Sequence, residues 1–239
     1  MIKRLMVIGL ALLPALAFGA SGVKLESSQI NINDKASMQR GAALFMNYCA
    51  GCHSLGFQRY SRMAEDLGLT EEQVMANLVF TDAKFGEPIK TSMTTAEGEK
   101  WFGKAPPDLS LVARNKLGGP DWTYTFLKSF YLDESRPSGW NNTVLAGASM
   151  PHVLWELQGS ARPILDAEGH VERLELASPG RQSPAEYDRT VRDLTNFLTY
   201  VSEPSAAKRR SIGVWVILFL TAFTLLAWLL KEEYWKDVH

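Results

Sequence analysis

The sequence predicts a mainly α-helical domain with one small β-hairpin, held at a membrane by a single C-terminal helix. Three observations support this fold class. Apolar residues recur at helical spacing in several segments between residues 33 and 201. A short alternating segment at 162–178 is typical of a hairpin. An uncharged run of 19 residues occupies 212–230, the length of a membrane span.

The N-terminus has the pattern of a secretory signal peptide, which we place at 1–19. Lys3 and Arg4 precede an apolar run at 5–18, which is too short for a full membrane span. Cleavage after either Ala17 or Gly19 satisfies the small-x-small rule, and an uncleaved N-terminal anchor is the alternative. In each case the domain that follows, at 20–204, is exported from the cytoplasm.

Capping residues mark the expected helix starts in the domain. Asn33 or Asp34 caps a helix that runs to about Tyr48. Residues 70–73, Thr-Glu-Glu-Gln, form a capping box. Pro120 suits the first position of a further helix, because its missing N–H has no helical partner there.

The last helix of the domain begins at a second capping box. Ser183 and Glu186 form this box around Pro184, and apolar residues then follow at spacings of three and four as far as residue 201. Residues 205–211 are expected to form a short linker into the membrane helix.

The uncharged run at 212–230 fits a transmembrane helix. At about 1.5 Å per residue it spans roughly 28 Å, close to the thickness of a hydrocarbon core. Trp215, Trp228, Tyr234 and Trp235 lie near its ends, where interfacial aromatic residues are common. A buried helix of a soluble protein is the alternative.

Net charge narrows the classes of partner. Residues 21–207 carry 18 lysine and arginine residues against 23 aspartate and glutamate residues, a net charge of −5. A modestly acidic domain lacks the basic face that nucleic-acid binding needs, so we expect no nucleic-acid partner. The charge suits a basic protein partner, and simple solubility explains it equally well.

One segment carries the chemistry of the chain: Cys49-Ala50-Gly51-Cys52-His53. This is the attachment sequence of c-type haem, in which each thiol adds to one vinyl group of the porphyrin. The residue after the second cysteine lies under the iron, so His53 supplies the proximal nitrogen. The segment therefore predicts one covalently attached haem c, with its iron, per chain.

Two other chemistries use similar cysteine pairs. A redox-active disulfide employs both thiols but has no need of the adjacent His53. A structural zinc site needs four ligands, and Cys49 and Cys52 are the only cysteines in the chain. Export, the isolated pair and the adjacent histidine together favour haem.

Several residues are candidates for the sixth iron ligand. Met150 lies in a loop-like segment, 135–151, and can reach the opposite haem face without disrupting a helix. His152 is an alternative, as is an open iron site. Methionine paired with histidine raises the reduction potential of a haem, which favours an electron carrier. The remaining candidates are Met63, Met75, Met93 and His170.

Two further features fit a haem pocket. Residues 105–110, Ala-Pro-Pro-Asp-Leu-Ser, are stiffened by Pro106 and Pro107 and can wall the haem edge, although an ordinary proline loop has the same composition. Arg114 follows one turn later. It can pair with a buried propionate through a bidentate contact, or lie in solvent as an ordinary surface arginine.

Two opposing signals bear on membrane orientation. Residues 208–210, Lys-Arg-Arg, precede the apolar run, whereas Lys231 and Lys236 follow it. That count alone places the domain in the cytoplasm. The signal peptide and the haem motif require export, and they outweigh a difference of one charge. We therefore expect a periplasmic domain, a single-pass helix in the bacterial inner membrane and a cytoplasmic tail at 231–239.

Five segments occur in order along the chain: CAGCH at 49–53, PPDLS at 106–110, ARN at 113–115 before Gly118-Gly119, MPHVLWEL at 150–157 and the C-terminal apolar run. Together they resemble the cytochrome c1 family of the proteobacterial type, the c-haem subunit of the ubiquinol–cytochrome c reductase (bc1) complex. The resemblance covers nearly the whole mature chain, and the set of motifs is much more specific than the haem motif alone.

The resemblance implies a cytochrome c fold with insertions, including the small β-hairpin, and one C-terminal transmembrane helix. It implies that Cys49 and Cys52 hold the haem, with His53 as the proximal ligand and Met150 as the distal ligand. It makes Arg114 the expected propionate partner. Some relatives carry an additional disulfide, which this chain cannot form. Any stiffening of the loop before Met150 must therefore come from packing.

The function implied by the resemblance is electron relay. The chain would take single electrons from the Rieske iron–sulfur protein and pass them to a cytochrome c, within a complex that also contains cytochrome b. Quinol oxidation belongs to the assembled complex. By itself the chain is expected to be an electron carrier and not an enzyme, so no general acid, base or nucleophile is expected in it.

Three other functions share parts of this pattern. A c-haem subunit of a terminal oxidase or a dehydrogenase has the motif and the anchor, but is not expected to have the 106–110 and 150–157 segments. A haem peroxidase or a gas sensor has an open iron site and binds carbon monoxide when reduced. A thiol oxidoreductase uses both thiols, which covalent haem excludes.

Overall fold

The computed structural model describes residues 24–237, so the expected signal peptide lies outside the described residues. Within this range about 48% of the residues are helical, and the strands form three two-stranded antiparallel sheets. The predicted fold class, mainly α with small strand pairs and a C-terminal apolar helix, is confirmed at this level.

The elements are numbered here in chain order. The helices are α1 (Lys35–Tyr48), α2 (Tyr60–Leu67), α3 (Glu71–Asn77), α4 (Thr95–Phe102), α5 (Val112–Asn115), α6 (Pro120–Lys128), α7 (Trp155–Gln158), α8 (Pro184–Ser202) and α9 (Ala206–Tyr234). The strands are β1 (Leu55–Arg59), β2 (Pro88–Ile89), β3 (Phe130–Leu132), β4 (Trp140–Asn142), β5 (Gly159–Leu165) and β6 (Val171–Pro179). Strand β1 pairs with β2, β3 with β4, and β5 with β6.

The contact between α1 and α8 lies at the centre of the domain. Gly41 allows the close approach, because a Cβ atom there would lie 2.1 Å from the carbonyl oxygen of Asp193. Ser37 Oγ and Arg40 Nε both donate hydrogen bonds to the Asp193 carboxylate, at 2.7 and 2.6 Å. This contact fixes α1, and the haem motif directly follows the last residue of α1.

The predicted helix starts are confirmed. Asp34 Oδ1 accepts a hydrogen bond from Ser37 N at 3.0 Å and caps α1. The capping box at 70–73 has both of its hydrogen bonds. At the start of α8, Ser183 N donates to Glu186 Oε2 at 2.8 Å. Helix α6 begins with the predicted proline.

The predicted hairpin is confirmed as the β5–β6 pair, which extends slightly beyond 162–178 on both sides. Asp166 closes its turn, because Asp166 Oδ1 accepts hydrogen bonds from Glu168 N at 3.1 Å and His170 N at 2.7 Å. These bonds replace the strand pairing that the turn residues cannot make.

Two strand pairs are absent from the sequence prediction. Strands of two to five residues are too short to show a convincing alternation, and β4 lies inside the segment at 135–151 that was expected to be a loop. In the β3–β4 pair, Phe130 lies opposite Asn142, and Leu132 lies opposite Trp140. Because side chains alternate along a strand, this register brings Phe130 and Trp140 to the same face.

Helix α9 begins earlier than the sequence predicts. Residues 206–211 were expected to form a linker, but they form the first turns of the helix. No helix-breaking residue follows Pro204 until Gly213, and Arg209 Nη2 lies 2.7 Å from Glu203 Oε1 across this start. The mean hydropathy reaches 2.3 over 18 residues, so this helix is apolar enough to cross a membrane.

Candidate haem site

The haem motif forms one tight turn at the end of α1. Cys49 N donates to Phe45 O at 2.8 Å, and His53 N donates to Cys49 O at 2.8 Å. Both Cys49 and His53 are buried. Burial raises the pKa of the Cys49 thiol to about 12 and also raises the pKa of Cys52. Both thiols are therefore protonated near neutral pH, unlike the reactive thiols of redox-active disulfides.

This turn opens onto two adjoining cavities, with volumes of about 90 and 220 Å³. Cys52 lines the smaller cavity. Both cavities are lined by Cys49, His53, Lys104, Pro107, Ser149 and Met150. Four of the residues that the sequence singled out therefore line both cavities: Cys49, His53, Pro107 and Met150.

The imidazole of His53 has a defined orientation. His53 Nδ1 lies 2.7 Å from the carbonyl oxygen of Pro107. A carbonyl oxygen only accepts, so Nδ1 carries the proton and donates it, which leaves Nε2 with a lone pair for a metal. Burial lowers the pKa of His53, and the Pro107 hydrogen bond and the charge of Asp108 oppose this less strongly. The ring is therefore neutral near pH 7, as a metal ligand must be.

The segment that contains Pro107 is anchored beside the haem motif. Asp108 Oδ2 accepts from Gly56 N at 2.8 Å, and Leu109 N donates to Ser54 O at 2.9 Å. These bonds hold residues 107–109 along residues 53–56. The sequence indicated Pro107 as a stiff wall, and the structure adds its carbonyl oxygen as the acceptor for His53, a role that no motif reveals.

Met150 is the one methionine among the described residues that lines these cavities. Met63 is fully buried in the core instead. His152, the alternative ligand, lines neither cavity and lies with its ring against Phe130 and Trp140. Burial lowers the pKa of His152 to about 4, which the Gln158 side chain opposes weakly. This arrangement favours Met150 over His152 as the sixth ligand.

Arg114 does not line either cavity. Its side chain is 63% exposed, and Nη1 lies 3.9 Å from Glu203 Oε2. Val112 in α5 does line the larger cavity, and a residue two positions further is rotated by about 200° around a helix. Arg114 therefore faces away, whereas Lys116, four residues after Val112, returns to the cavity side.

Two lysines are the positively charged side chains that line the cavities. Lys104 lines both cavities, and Lys116 lines the larger one. Lys116 Nζ also lies 4.5 Å from the ring centroid of Trp122, a cation–π contact. Among the described residues, no carboxylate side chain lines either cavity. The sequence analysis missed both lysines, because lysine is common on surfaces and neither lies in a motif.

These side chains fit a haem. The walls are largely apolar, the two thiols match the two vinyl groups, and Nε2 of His53 and the Met150 sulfur are donors for iron. The two lysines suit the two propionates. A helical domain with this donor set and one helix of membrane length defines a class, the membrane-anchored c-type haem proteins.

The chain belongs to the Cytochrome C1 family, whose family model matches residues 26–238. Membership makes it an electron-transport protein and implies a covalently bound haem c.

Several individual proteins are similar to this chain over most of its length. The chain is 50% identical to the cytochrome c1 of Allochromatium vinosum, over 94% of each chain. It is 44% identical to the ammonia monooxygenase gamma subunit of Nitrosomonas europaea, over 91% of this chain and 90% of that protein. It is 23% identical to the cytochrome b/c1 of Bradyrhizobium diazoefficiens, over 86% of this chain and 34% of that protein.

Proposed function

We propose that this chain is the electron-carrier subunit of a bc1-type quinol–cytochrome c reductase, with one haem c bound covalently to a cytochrome c fold. In this role it takes single electrons from a Rieske iron–sulfur protein and passes them to a cytochrome c. The proposal depends on one observation: the smaller cavity is lined by Cys49, Cys52, His53 and Met150, in a member of the Cytochrome C1 family.

Each side chain has one task in this proposal. In the haem-loaded chain, Cys49 and Cys52 would form the thioether bonds, and His53 Nε2 and the Met150 sulfur would be the two protein ligands of the iron. A bound haem would supply one-electron chemistry between the ferric and ferrous states. The Pro107 carbonyl oxygen keeps the His53 ring in place, so this ligand would need little rearrangement during transfer.

The propionates of the haem pair with Lys104 and Lys116 in this proposal, because both lysines line the cavities and Arg114 lines neither. Both lysines are exposed residues that line a largely apolar cavity, and their charges offset the two carboxylates that the haem brings with it. The pairing also orients the macrocycle, because the vinyl side of the ring must face Cys49 and Cys52.

Membrane placement completes the proposal. Helix α9 spans the inner membrane once, the haem domain lies in the periplasm, and residues 231–239 form a cytoplasmic tail. The length and hydropathy of α9 support a span. Cytochrome b is the expected membrane partner, and the name of the Bradyrhizobium relative, which joins b and c1, supports that partner.

Covalent attachment is tested by staining for haem after denaturing electrophoresis of the membrane fraction. We expect the wild-type chain to keep its haem, and Cys49→Ala with Cys52→Ala to lose it. The matched control is Ser149→Ala, which alters a cavity residue but no thiol. Haem that leaves the wild-type chain on denaturation would contradict the proposal.

The partners are tested by purifying the full-length chain from membranes through a C-terminal tag. We expect cytochrome b and a Rieske protein to co-purify, and added quinol to reduce cytochrome c. A preparation that contains the haem-loaded chain but no b-type haem spectrum would contradict membership in such a complex.

A further inference from the structure

Five aromatic rings form a continuous series beside the candidate haem site, and we call this series the aromatic column. Its members are Trp122, Phe126, Phe130, His152 and Trp140. Neighbouring ring centroids are 5.0 Å apart at the first two contacts and 5.1 Å apart at the last two. Each distance lies in the range at which aromatic rings attract one another.

The column connects the cavity wall to the loop that carries Met150. At one end, Trp122 and Phe126 line the larger cavity. Towards the other end lies His152, which follows Met150 with only Pro151 between them. The proline ring restricts the backbone of this short connection, so the position of the His152 ring limits where Met150 can lie.

The ring of His152 is held on two sides. It stacks on Phe130 at an interplanar angle of 6° and meets Trp140 edge to face at 76°. Strand pairing between β3 and β4 brings Phe130 and Trp140 to the same face, so the two contacts have a rigid support. His152 is only 2% exposed.

Hydrogen bonding does not explain the placement of this ring. His152 Nε2 is buried and has no hydrogen-bond partner of good geometry among residues 24–237. A buried polar atom without a partner carries a free-energy cost, which the ring contacts with Phe130 and Trp140 help to offset. These two contacts therefore restrain the His152 ring.

We propose that His152 is a positioning residue for Met150, held by the aromatic column so that the methionine sulfur stays within bonding distance of the haem iron. This inference rests on the proposed function, in which Met150 is the sixth ligand. It assigns the stiffness of the methionine loop to ring stacking, in a chain whose two cysteines are both committed to the haem motif. His152 itself does not contact the iron.

The test uses full-length, haem-loaded protein purified from membranes. We expect His152→Ala to lose the far-red charge-transfer band of methionine-ligated ferric haem, to shift the midpoint potential downwards and to bind carbon monoxide when reduced. His152→Phe keeps an aromatic ring in the column, and it should retain the band and the potential. Should His152→Ala fail to accumulate, Trp140→Leu, which removes one of the two contacts, should show the same changes in weaker form.

A matched control separates positioning from general stability. Val191→Ala truncates a fully buried residue of α8 that lines neither cavity. It should lower the unfolding temperature and leave the band and the potential unchanged. If His152→Ala and Trp140→Leu behave like Val191→Ala, with lower stability but an unchanged band, His152 is ordinary core packing and the inference is wrong.

A double-mutant cycle with Met150→Leu distinguishes this failure from failure of the proposed function. If His152 acts through Met150, adding His152→Ala to Met150→Leu produces no further shift in potential. A further shift of the full single-mutant size would overturn positioning but leave Met150 as the ligand. If Met150→Leu alone keeps the far-red band, the ligand assignment itself fails, and the inference fails with it.

Discussion

At the scale of single residues, the hydrogen bond between His53 Nδ1 and Pro107 O decides which nitrogen faces the cavity. It fixes the tautomer, and burial keeps the ring neutral by lowering its pKa. Single residues also determine the charge of the site. Lys104 and Lys116 line the cavities and Arg114 does not, because two positions along α5 reverse the direction of a side chain.

The two lysines should therefore affect the reduction potential, and Arg114 should not. In Lys116→Gln or Lys104→Gln, loss of a cation near the haem disfavours the reduced state, which carries one more electron. We expect the midpoint potential to fall by the equivalent of up to about 1 kcal/mol, the upper end of the range for exposed ion pairs. Redox titration of the purified protein measures this effect, with Arg114→Gln as the matched control. A shift in Arg114→Gln alone would restore Arg114 as the propionate partner.

At the scale of elements, the α1–α8 contact and the β3–β4 pair act as two separate supports for the site. Helix α1 ends at the haem motif, and α8 contributes Leu194 and Leu198 to the larger cavity. The β3–β4 pair supports the loop that carries Met150, through the aromatic column and through Asn142. Substitutions in the α1–α8 contact should therefore change the stability of the domain, whereas substitutions in the β3–β4 pair should change the loop that carries Met150.

Gly41→Ala should destabilise the domain through the α1–α8 contact. The added methyl group would lie 2.1 Å from Asp193 O and 2.6 Å from Phe197 Cβ, so the helices must separate. Overpacking of this kind costs about 1–3 kcal/mol. Chemical denaturation followed by circular dichroism measures the change. Gly86→Ala is the control, because a Cβ atom there meets nothing within 4 Å, and equal stability of the two variants would contradict this account.

Asn142→Ala should destabilise the loop before Met150. Asn142 is fully buried, its Nδ2 donates to Phe126 O at 2.8 Å, and its Oδ1 accepts from Val144 N at 2.8 Å and Leu145 N at 3.1 Å. The buried carbonyl of Phe126 is left without this partner, which costs about 1–3 kcal/mol. Hydrogen exchange at residues 144 and 145 should accelerate.

The control for this loop prediction is Asn77→Ala, which removes a single hydrogen bond, from Asn77 Nδ2 to Gln73 O, on an exposed helix face. It should leave hydrogen exchange in the loop unchanged. Unchanged exchange at 144 and 145 in Asn142→Ala would show that the asparagine does not hold this segment.

How far the sequence predicts the structure depends on the separation of the residues involved. Caps at Asp34 and at 70–73 use neighbours three residues apart, and the motif at 49–53 is one turn, so both can be identified locally. Phe130 and His152 are far apart in the sequence but in contact. Lys104 is likewise far from Cys49 in the sequence, yet both residues line the same cavity. No local pattern encodes these contacts, because they exist only once the domain has folded.

At the scale of the whole molecule, Lys128 joins the N-terminal segment to two helices. Its Nζ lies 2.7 Å from Asp188 Oδ1 in α8, contacts Glu26 Oε2, and lies 4.7 Å from the ring centroid of Tyr124. The Lys128 side chain is only 17% exposed, which limits screening by solvent. This cluster fastens the start of the described chain to the helical core.

The cluster should make stability depend on pH in the acid range. Burial alone would raise the pKa of Asp188, but hydrogen bonds from Lys128 and Tyr124 hold it below its ordinary value. A depressed carboxyl pKa stabilises the fold above the unfolded pKa of about 3.9, and this contribution is lost as pH falls through the folded pKa. We expect wild type to exceed Asp188→Asn in unfolding temperature near neutral pH, with the difference shrinking below about pH 4.

The control for the pH prediction is exposed Asp82→Asn, which should track the wild-type protein at every pH. Thermal unfolding at a series of pH values gives the comparison. A difference between wild type and Asp188→Asn that grows towards acid would contradict the proposed charge of this cluster.

The central claim, that the chain is a six-coordinate haem electron carrier, is tested most directly by the absorption spectrum of the purified protein, oxidised and reduced. We predict a low-spin c-type spectrum with the far-red methionine-to-iron band in the wild-type protein, and no binding of carbon monoxide to its reduced form. Met150→Leu should lose the band and bind carbon monoxide. A wild-type spectrum without this band, with ready carbon monoxide binding, would contradict the claim and indicate an open iron site.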